Sequence, residues 1–446
     1  MHEPYGRAMR APPLFFAPLQ LKLLLTLLIL IKVCIYSENF IDFLKSLQYN
    51  KAMIIREKYL NQIRPFYDSD LIKIITGIRR SGKSVVMQQI KDEISKKSDN
   101  FFYFEFEDKI TKNQFKNTDD IIQSILQNKK DTLCYIFFDE IQDYDGWEEV
   151  CKTLRLKNCS IFITGSNQKL LSKEYTSKLS GRYVSFKIYP FVYKEILEYC
   201  KELKRDISVL DYIIWGGFPK RLEYEDENAM KSYLKDLNET IIYNDLSLRY
   251  KIRKIELFEN IVNYIFLSNS RILSSNSIYK YIKQHHNCSE NTVSKFIYYL
   301  EQAFAIEKLS QYSTKTKQEL SFYHKIYNED VSFNSIRQPN NRFDLSHNLE
   351  NIIHNELLYM GYNLNVYNIN GKEVDFLATR GNKKYYIQVA YSVENEETYQ
   401  REMAPFNLIR DNLSQKILIT TDELDYSTSL VRHIKLKDFL SLDSLS

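Results

Sequence analysis

The stretch IKIITGIRRSGKSVV, at residues 72–86, decides the fold of the first half of this 446-residue chain. A short run typical of a buried strand, IKIIT, precedes a loop that holds two of the chain's 11 glycines. Apolar residues at helical spacing follow in KSVVMQQIKDEI. The loop fits the pattern G-x-x-x-x-G-K-[ST], in which backbone N–H groups and the start of a helix surround phosphate groups. The sequence therefore predicts a phosphate-binding loop made of Gly77, Ile78, Arg79, Arg80, Ser81, Gly82, Lys83 and Ser84.

Two residues of this loop and two acids further along the chain carry the predicted chemistry. In such loops the lysine, here Lys83, reaches the β- and γ-phosphate oxygens, and the hydroxyl at the position of Ser84 binds Mg²⁺. A second apolar strand, CYIFFDEIQ at residues 134–142, ends in Asp139 and Glu140. The first carboxylate can hold Mg²⁺, and the second can act as general base for the attacking water. We therefore predict magnesium-dependent hydrolysis of a nucleotide, with Lys83, Asp139 and Glu140 as catalytic residues.

Two further polar residues have two interpretations each. A third apolar strand, CSIFITGSN at residues 159–167, ends at Asn167, which could contact the γ-phosphate as a sensor or simply belong to a turn. Arg182, in KLSGRYVSF, could act as an arginine finger in the site of a neighbouring subunit. That role requires a homo-oligomer, and a structural salt bridge is the alternative.

Two short motifs typical of guanine-nucleotide proteins also occur in the chain. They are NKKD at residues 128–131 and DYDG at residues 143–146. NKKD precedes the strand that ends in Asp139, whereas open α/β sheets bind their ligands at the carboxyl ends of the strands. We therefore predict ATP, bound with Mg²⁺, rather than GTP.

Composition sets only broad limits on the partners and the compartment. Lys and Arg number 61 and Asp and Glu 57, so the net charge of +4 neither requires nor excludes a nucleic acid. The six cysteines have no paired metal-binding spacing, which favours free thiols in a reducing compartment. These features predict a cytoplasmic protein.

The N-terminal residues 1–52 differ from the rest of the chain. Their most apolar run, LLLTLLILI at residues 23–31, lies between two lysines. A nine-residue helix spans about 13–14 Å, against a hydrocarbon core of about 30 Å. We interpret this region as an extension outside the fold. The alternative is a membrane-associated protein held by the apolar segment 14–36, with the flanking lysines reaching the interface.

The motifs together resemble those of a prokaryotic family of AAA-type ATP-binding proteins. The likeness runs from about residue 53 to the end and includes LSGRYVSFKIYPFVYKEIL, WGGFP, YLKDLNETIIYNDLSLRYKI and EVDFLATRGNKKYYIQVAYSVENEETYQRE. The resemblance implies a P-loop NTPase domain with a parallel α/β sheet, in which the acidic strand lies beside the P-loop strand. It implies a winged helix next, and then a small α/β domain like that of restriction endonucleases. The resulting domains are an extension (1–52), an AAA-type ATPase domain (53–222), a helical and winged-helix domain (223–335) and a nuclease-like domain (336–446).

The residues of the third domain (223–335) support a winged helix independently. Two predicted helices, at residues 275–286 and 289–302, precede a predicted hairpin at 306–328 with a basic tip at Lys315 and Lys317. The second helix has a stripe of apolar residues and a polar face. Such a unit can place its second helix in the major groove of DNA, and winged helices also dock onto proteins. DNA and a protein partner both remain open.

The last domain is predicted to contain a helix, three strands, a helix and a strand, an order that resembles restriction-endonuclease-like nucleases, but its site is degenerate. Asp375 stands where such enzymes have a metal-binding aspartate, and Glu350 or Glu356 on the preceding helix could complete a metal site. The expected Glu-x-Lys of the next strand is Gln388-Val389-Ala390, which supplies a weaker ligand and no cation. Lys384 lies about 13 Å from Gln388 along the strand and cannot replace the missing lysine. We therefore predict a binding domain that does not cleave.

The function predicted from the sequence is that of a magnesium-dependent ATPase of AAA type. Its nucleotide state would reposition the winged helix and the nuclease-like domain, with DNA as one candidate partner. The first alternative is a slow nucleotide-gated regulatory or scaffold protein that recruits a protein partner. The second is an ATP-dependent nuclease.

Overall fold

The computed structural model describes residues 53–171, 178–179, 181–312, 324–411 and 413–445. The N-terminal extension, with its apolar segment 14–36, and the predicted basic hairpin tip lie outside these residues. Among the residues described, no helix combines the length and the apolar character needed to cross a bilayer. Residues 54–446 form one compact unit. The predicted boundaries at 222 and 335 fall inside this unit and stay predictions.

The first part of the chain folds around a parallel five-stranded sheet, as predicted. The strands are β1 (Ile72–Thr76), β2 (Phe101–Glu105), β3 (Cys134–Asp139), β4 (Cys159–Gly165) and β5 (Tyr183–Lys187). The helices of this part are α1 (Glu57–Ile63), α2 (Lys83–Ser95), α3 (Lys109–Gln114), α4 (Thr118–Asn128) and α5 (Trp147–Arg155). Every residue of β1, β3 and β4 is buried, because helices cover both faces of a parallel sheet.

The order of the strands corrects one expectation. The sheet runs β2-β3-β4-β1-β5, so the acidic strand β3 does not lie beside the P-loop strand β1. Strand β4 lies between them, and its Phe162 is paired with Lys73 on one side and Phe137 on the other. A strand that is buried along its whole length can pair with a neighbour on each side, and the sequence alone does not determine which strands those neighbours are. The carboxyl end of β4 therefore lies between the phosphate loop and Asp139.

The second part is mainly helical, with a small antiparallel sheet. Its helices are α6 (Tyr193–Glu202), α7 (Val209–Trp215), α8 (Glu227–Thr240), α9 (Ile255–Leu267), α10 (Ser275–Ile282) and α11 (Glu290–Gln302). A π-helical segment, Ile241–Leu248, continues α8. The strands β6 (Arg271–Leu273), β7 (Ile306–Ser310) and β8 (His324–Asn328) pair in the order β6-β8-β7. The predicted apolar stripe of α11 is buried, at Val293, Phe296, Ile297 and Leu300.

The last part surrounds a mixed five-stranded sheet. It comprises α12 (Ser332–Ser335), α13 (Leu345–Tyr359), β9 (Asn363–Ile369), β10 (Lys372–Arg380), β11 (Lys383–Val389), α14 (Glu396–Leu408), β12 (Gln415–Thr420), β13 (Arg432–Lys435) and α15 (Leu436–Leu440). Strands β9, β10 and β11 are antiparallel, and β11, β12 and β13 are parallel. The order of helix, three strands, helix and strand is the predicted one.

Candidate functional site

The predicted phosphate loop connects β1 to α2, and its backbone depends on two glycines. Gly77 has φ +144° and Gly82 has φ +99°, values that favour glycine because a side chain would be strained there. Gly82 is also the residue before the first turn of α2, so the free N–H groups of that turn face the loop. The buried hydroxyl of Ser81 has no hydrogen-bond partner within the part of the chain that the structure describes. These features fit a loop that encloses phosphate groups.

We expect Gly77→Ala to abolish nucleotide binding, because the loop has no room for a side chain there. A Cβ atom on Gly77 would lie 2.2 Å from the backbone oxygen of Ile188. The control is Gly361→Ala, where φ is also positive (+90°) but no atom lies within 4 Å. That change should cost about 1–2 kcal/mol of stability and leave nucleotide affinity unchanged. Titration with a fluorescent ATP analogue measures both variants, and equal affinities would contradict the close approach at Gly77.

Lys83 and Glu140 are paired with each other in the site. Lys83, which is 4% exposed, donates to the Ile78 carbonyl at 3.2 Å, and its Nζ lies 3.3 Å from Oε1 of Glu140. Burial alone would raise the pKa of Glu140, but the Lys83 ammonium and a hydrogen bond from Gln142 outweigh it. The pKa of Glu140 is therefore below its usual value, and Glu140 is a carboxylate at neutral pH. An ionised carboxylate is the form that a general base needs.

Asp139 lies against Ser84, so the two predicted magnesium ligands are adjacent. Oδ1 of Asp139 accepts from the Ser84 hydroxyl at 3.1 Å and also from Thr164, and Oδ2 accepts from the Tyr103 hydroxyl at 2.9 Å. Burial raises the pKa of Asp139, and the neighbouring Glu140 charge adds to this, while the three hydroxyl donors oppose it. A carboxylate and a hydroxyl are hard oxygen ligands of the kind that Mg²⁺ prefers. The oxygens of Ser84 and Asp139 are therefore suitable ligands for Mg²⁺.

Thr164 was not predicted, although it connects the two acids. Its hydroxyl accepts from the backbone N–H of Glu140 at 2.8 Å and donates to Asp139. Glu140 has a left-handed backbone (φ +54°), which this hydrogen bond holds in place. The position of Thr164, one residue before the end of β4, is informative only when β4 is known to lie beside β3. The strand order was the missing signal.

Arg56 also supports the loop and was missed. Its guanidinium, only 2% exposed, donates to the Ser81 carbonyl at 2.9 Å and makes two hydrogen bonds to Glu195, at 2.8 and 2.7 Å. It therefore fixes the outer side of the phosphate loop to α6. Nothing in the local sequence around Arg56 marks this role, because its partners lie 25 and 139 residues away.

The remaining predicted residues of the first part lie in different places. Arg79 donates to Asp245 through two nitrogens, at 2.9 and 3.1 Å, and to Glu107 at 2.9 Å. The side chain of Arg80 is exposed, and its backbone has a positive φ of +66°. Asn167 is 1% exposed and follows β4, at the same sheet edge as the phosphate loop. Arg182 is exposed and precedes β5. It therefore lies at the amino ends of the parallel strands, whereas the phosphate loop of its own chain lies at their carboxyl ends.

The acids of the last part surround a lysine that was not predicted. Lys325, on β8, lies 2.7 Å from Glu350, 2.7 Å from Glu373 and 3.1 Å from Asp375. Glu356 is elsewhere: it accepts from the Tyr193 N–H and the Tyr212 hydroxyl. Of the two helix acids that the sequence left open, Glu350 therefore lies with Asp375 and Glu356 does not, because six residues along a helix put Glu350 and Glu356 on different faces. Within the described ranges, no group of three or more His, Cys, Asp or Glu residues is arranged to hold a metal ion.

One of these acids makes stability depend on pH. Burial raises the pKa of Glu350 to about 8, and the nearby Asp375 charge adds to this, against the opposing effect of Lys325. Because the pKa is higher in the folded than in the unfolded protein, the stabilisation is complete below about pH 4.5 and is lost as the pH rises towards 8. We expect Glu350→Gln to be progressively more stable, relative to the wild type, between pH 5 and about 8. Urea denaturation at several pH values measures this, and a pH-independent difference would contradict it.

Comparisons with known proteins agree with this geometry. Residues 69–197 match the model of a family described as an AAA domain, and residues 207–337 match a domain of unknown function, DUF8612. The fold and the loop therefore define an AAA-type P-loop NTPase domain. An uncharacterized protein of Haemophilus influenzae is 33% identical over 386 residues, covering 83% of this chain and 94% of that protein. The chain belongs to the family of that protein.

A protein of Methanocaldococcus jannaschii named uncharacterized protein MJ1544 is 32% identical over 378 residues, covering 79% of this chain and 82% of the other. Among solved structures, a Walker-type ATPase of Pyrococcus abyssi has 16% identity and a TM-score of 0.44, covering 64% of this chain and 96% of the other. DnaA from Aquifex aeolicus bound to AMPPCP has 16% identity and a TM-score of 0.30, covering 56% and 89%. TM-scores this low identify no activity or partner for this chain.

Proposed function

We propose that the protein is a magnesium-dependent ATPase. The observation that carries the proposal is the convergence of Lys83, Ser84, Asp139 and Glu140 at the carboxyl ends of the strands of the first sheet, around a loop whose Ser81 hydroxyl has no partner among the described residues. These are the groups that phosphoryl transfer to water requires: a cation for the phosphates, two oxygen ligands for the metal and a base.

The residues of the chain divide the chemistry between them. The N–H groups of the loop and of α2 hold the phosphates, and Lys83 binds their oxygens. Ser84 and Asp139 would hold Mg²⁺, which neutralises charge on the phosphates when it is bound. Glu140 orients a water and accepts its proton as the water attacks the γ-phosphorus in line. Asn167, near the end of β4, could contact the same water or the γ-phosphate.

We expect Lys83→Ala to weaken ATP binding by about 10- to 100-fold, since hydrogen bonds to charged groups contribute about 1.5–3 kcal/mol. The matched control is Lys96→Ala, at the exposed far end of α2, which should bind ATP like the wild type. Isothermal titration with MgATP measures both. Unchanged affinity of the Lys83 variant would refute the nucleotide site.

We further propose that α10, α11 and the sheet β6-β8-β7 form a winged helix that receives the nucleotide signal. A short strand, two helices and two further strands that complete an antiparallel sheet are the elements of that motif, and the outer face of α11 exposes Asn291, Ser294, Lys295 and Tyr298. DNA is the partner we favour, and the ATPase rate with and without single- and double-stranded DNA tests it. Stimulation by DNA supports this partner, and indifference favours a protein partner and a slower regulatory or scaffold role.

The last part is, in this proposal, a nuclease-like domain that has lost cleavage. Lys325 already occupies the space between Glu350 and Asp375, 2.7 and 3.1 Å from them, and Gln388 donates to Glu402 at 2.7 Å instead of supplying a carboxylate. Magnesium-dependent nicking of plasmid DNA that Asp375→Ala abolishes would support the ATP-dependent nuclease instead.

Two lesser proposals concern compartment and assembly. All five cysteines within the described ranges are free, which supports a reducing compartment such as the cytoplasm.

Arg182 is exposed, far from the phosphate loop of its own chain, which supports a role in the site of a neighbouring copy. Arg182→Ala should then lower the ATPase rate only at concentrations where the protein oligomerises.

A further inference from the structure

The π-helical segment Ile241–Leu248 contacts the phosphate loop directly. Its Asp245 is 3% exposed and binds the guanidinium of Arg79, which belongs to the loop, through both carboxylate oxygens. The contact joins residues 166 positions apart in the chain. π-Helical turns are rare and occur frequently at functional sites, because the extra residue costs stability that must be offset elsewhere. The contact of this π-helical segment with Arg79 of the phosphate loop therefore suggests a functional role for the segment.

The residues that follow this segment make a second contact with the nucleotide site. Asn167, two residues beyond the end of β4, lies next to the Tyr250 hydroxyl and interacts with it. The ring of Tyr250 stacks on the ring of Tyr299, with centroids 3.7 Å apart and planes 8° apart. Tyr299 belongs to α11. A continuous path therefore runs from Asn167, the candidate sensor, through Tyr250 to α11.

A third contact reinforces this path. The side chain of Gln302, the last residue of α11, donates to Gln168 at 3.4 Å, next to Asn167. The carboxyl end of α11 therefore contacts the residues that follow β4, as Tyr250 does. Its exposed side chains Asn291, Ser294 and Lys295 lie nearer the other end of the helix.

We propose that residues 241–250 form a coupling segment that transmits the nucleotide state of the phosphate loop to α11. The inference rests on the ATPase proposed above and names the regulation of that site. A bound triphosphate brings negative charge close to Arg79 and competes with Asp245 for its guanidinium. Removal of the γ-phosphate changes the surroundings of Asn167, and with them its contact with the Tyr250 hydroxyl. Both changes act on one segment, whose far end is stacked on α11.

The stack makes the transmission sensitive to small displacements. The two rings are in direct contact, so a shift of Tyr250 displaces Tyr299 or separates the rings. Packed elements of this kind change between discrete arrangements instead of deforming gradually. The coupling segment therefore converts a change of charge at the loop into a change in the position or mobility of α11.

Hydrogen–deuterium exchange of the full chain tests the proposal, with and without a saturating non-hydrolysable ATP analogue and Mg²⁺. The variants are Asp245→Asn, which keeps the shape and removes the charge, and Tyr250→Phe, which keeps the ring and removes the hydroxyl. The matched control is Tyr243→Phe. Tyr243 lies in the same segment but is 42% exposed and bonds to Glu259, away from the loop.

In the wild type and in Tyr243→Phe, we expect the analogue to change exchange both in the loop 77–84 and in α11. In Asp245→Asn and Tyr250→Phe, the loop should still be protected, while the change in α11 falls by at least about half. Loop protection without a response of α11 in the wild type would overturn the coupling alone, as would equal responses in all four proteins. If the analogue does not protect the wild-type loop, the proposed ATPase fails, and the coupling fails with it.

Discussion

Replacing Glu140 with Gln is expected to lower ATP turnover by about 10²- to 10⁴-fold, the usual contribution of a general base. The amide has the shape of the carboxylate but cannot accept the proton of the attacking water. ATP affinity should remain within about threefold of the wild type, because the phosphates are held by the loop and Lys83. Phosphate release under multiple turnover and titration with MgATP measure the two quantities separately.

A matched control for this variant is Glu148→Gln, in the first turn of α5, which should turn over like the wild type. If Glu140→Gln also turns over like the wild type, Glu140 is not the base, and the protein is better described as a slow nucleotide-gated switch. Loss of affinity together with turnover would instead show that the Lys83–Glu140 pair holds the loop in shape.

The largest loss of stability is expected for Lys325→Met, at about 3–5 kcal/mol, the cost of removing one partner from a buried ion pair. Lys325 is 5% exposed and is the cation shared by Glu350, Glu373 and Asp375. Methionine fills a similar volume but leaves the carboxylates without a counter-charge. Chemical denaturation in urea at pH 8 measures the loss, since Glu350 is then most nearly ionised.

A second substitution separates the charge effect from packing. In Lys325→Met/Glu350→Gln, one of the repelling carboxylates is neutral, so we expect the double variant to recover more than about 1 kcal/mol relative to Lys325→Met. If the single variant loses less than about 1 kcal/mol, the acids do not depend on Lys325 for their charge balance.

The meeting of the phosphate loop with Asp139 and Glu140 could be predicted from sequence because the signals for each piece are local. The glycines, the lysine and the serine of the loop lie within eight residues, and Asp139 and Glu140 are adjacent at the end of one apolar strand. Each signal reflects a requirement of a single turn or strand end. The element order of the last part was predictable for the same reason, since it follows from runs of apolar residues and turns.

The contacts that join distant parts of the chain could not be predicted. The order of the strands depends on which edges pair, and three of the buried strands are apolar enough to lie anywhere within the sheet. Lys325 is 25 to 50 residues from the acids it pairs with, and no spacing rule connects them. A single sequence describes elements better than it describes which elements meet.

The position of Lys325 also determines how the protein can be divided for experiments. The lysine precedes residue 335, where the sequence suggested a boundary, and its partners Glu350, Glu373 and Asp375 follow it. An expression fragment that ends at 335 would lose the three acids that pair with Lys325, and one that begins at 336 would lose the lysine that the three acids share. Neither piece should be soluble and folded by itself, so truncations intended to isolate the two halves should be cut elsewhere or avoided.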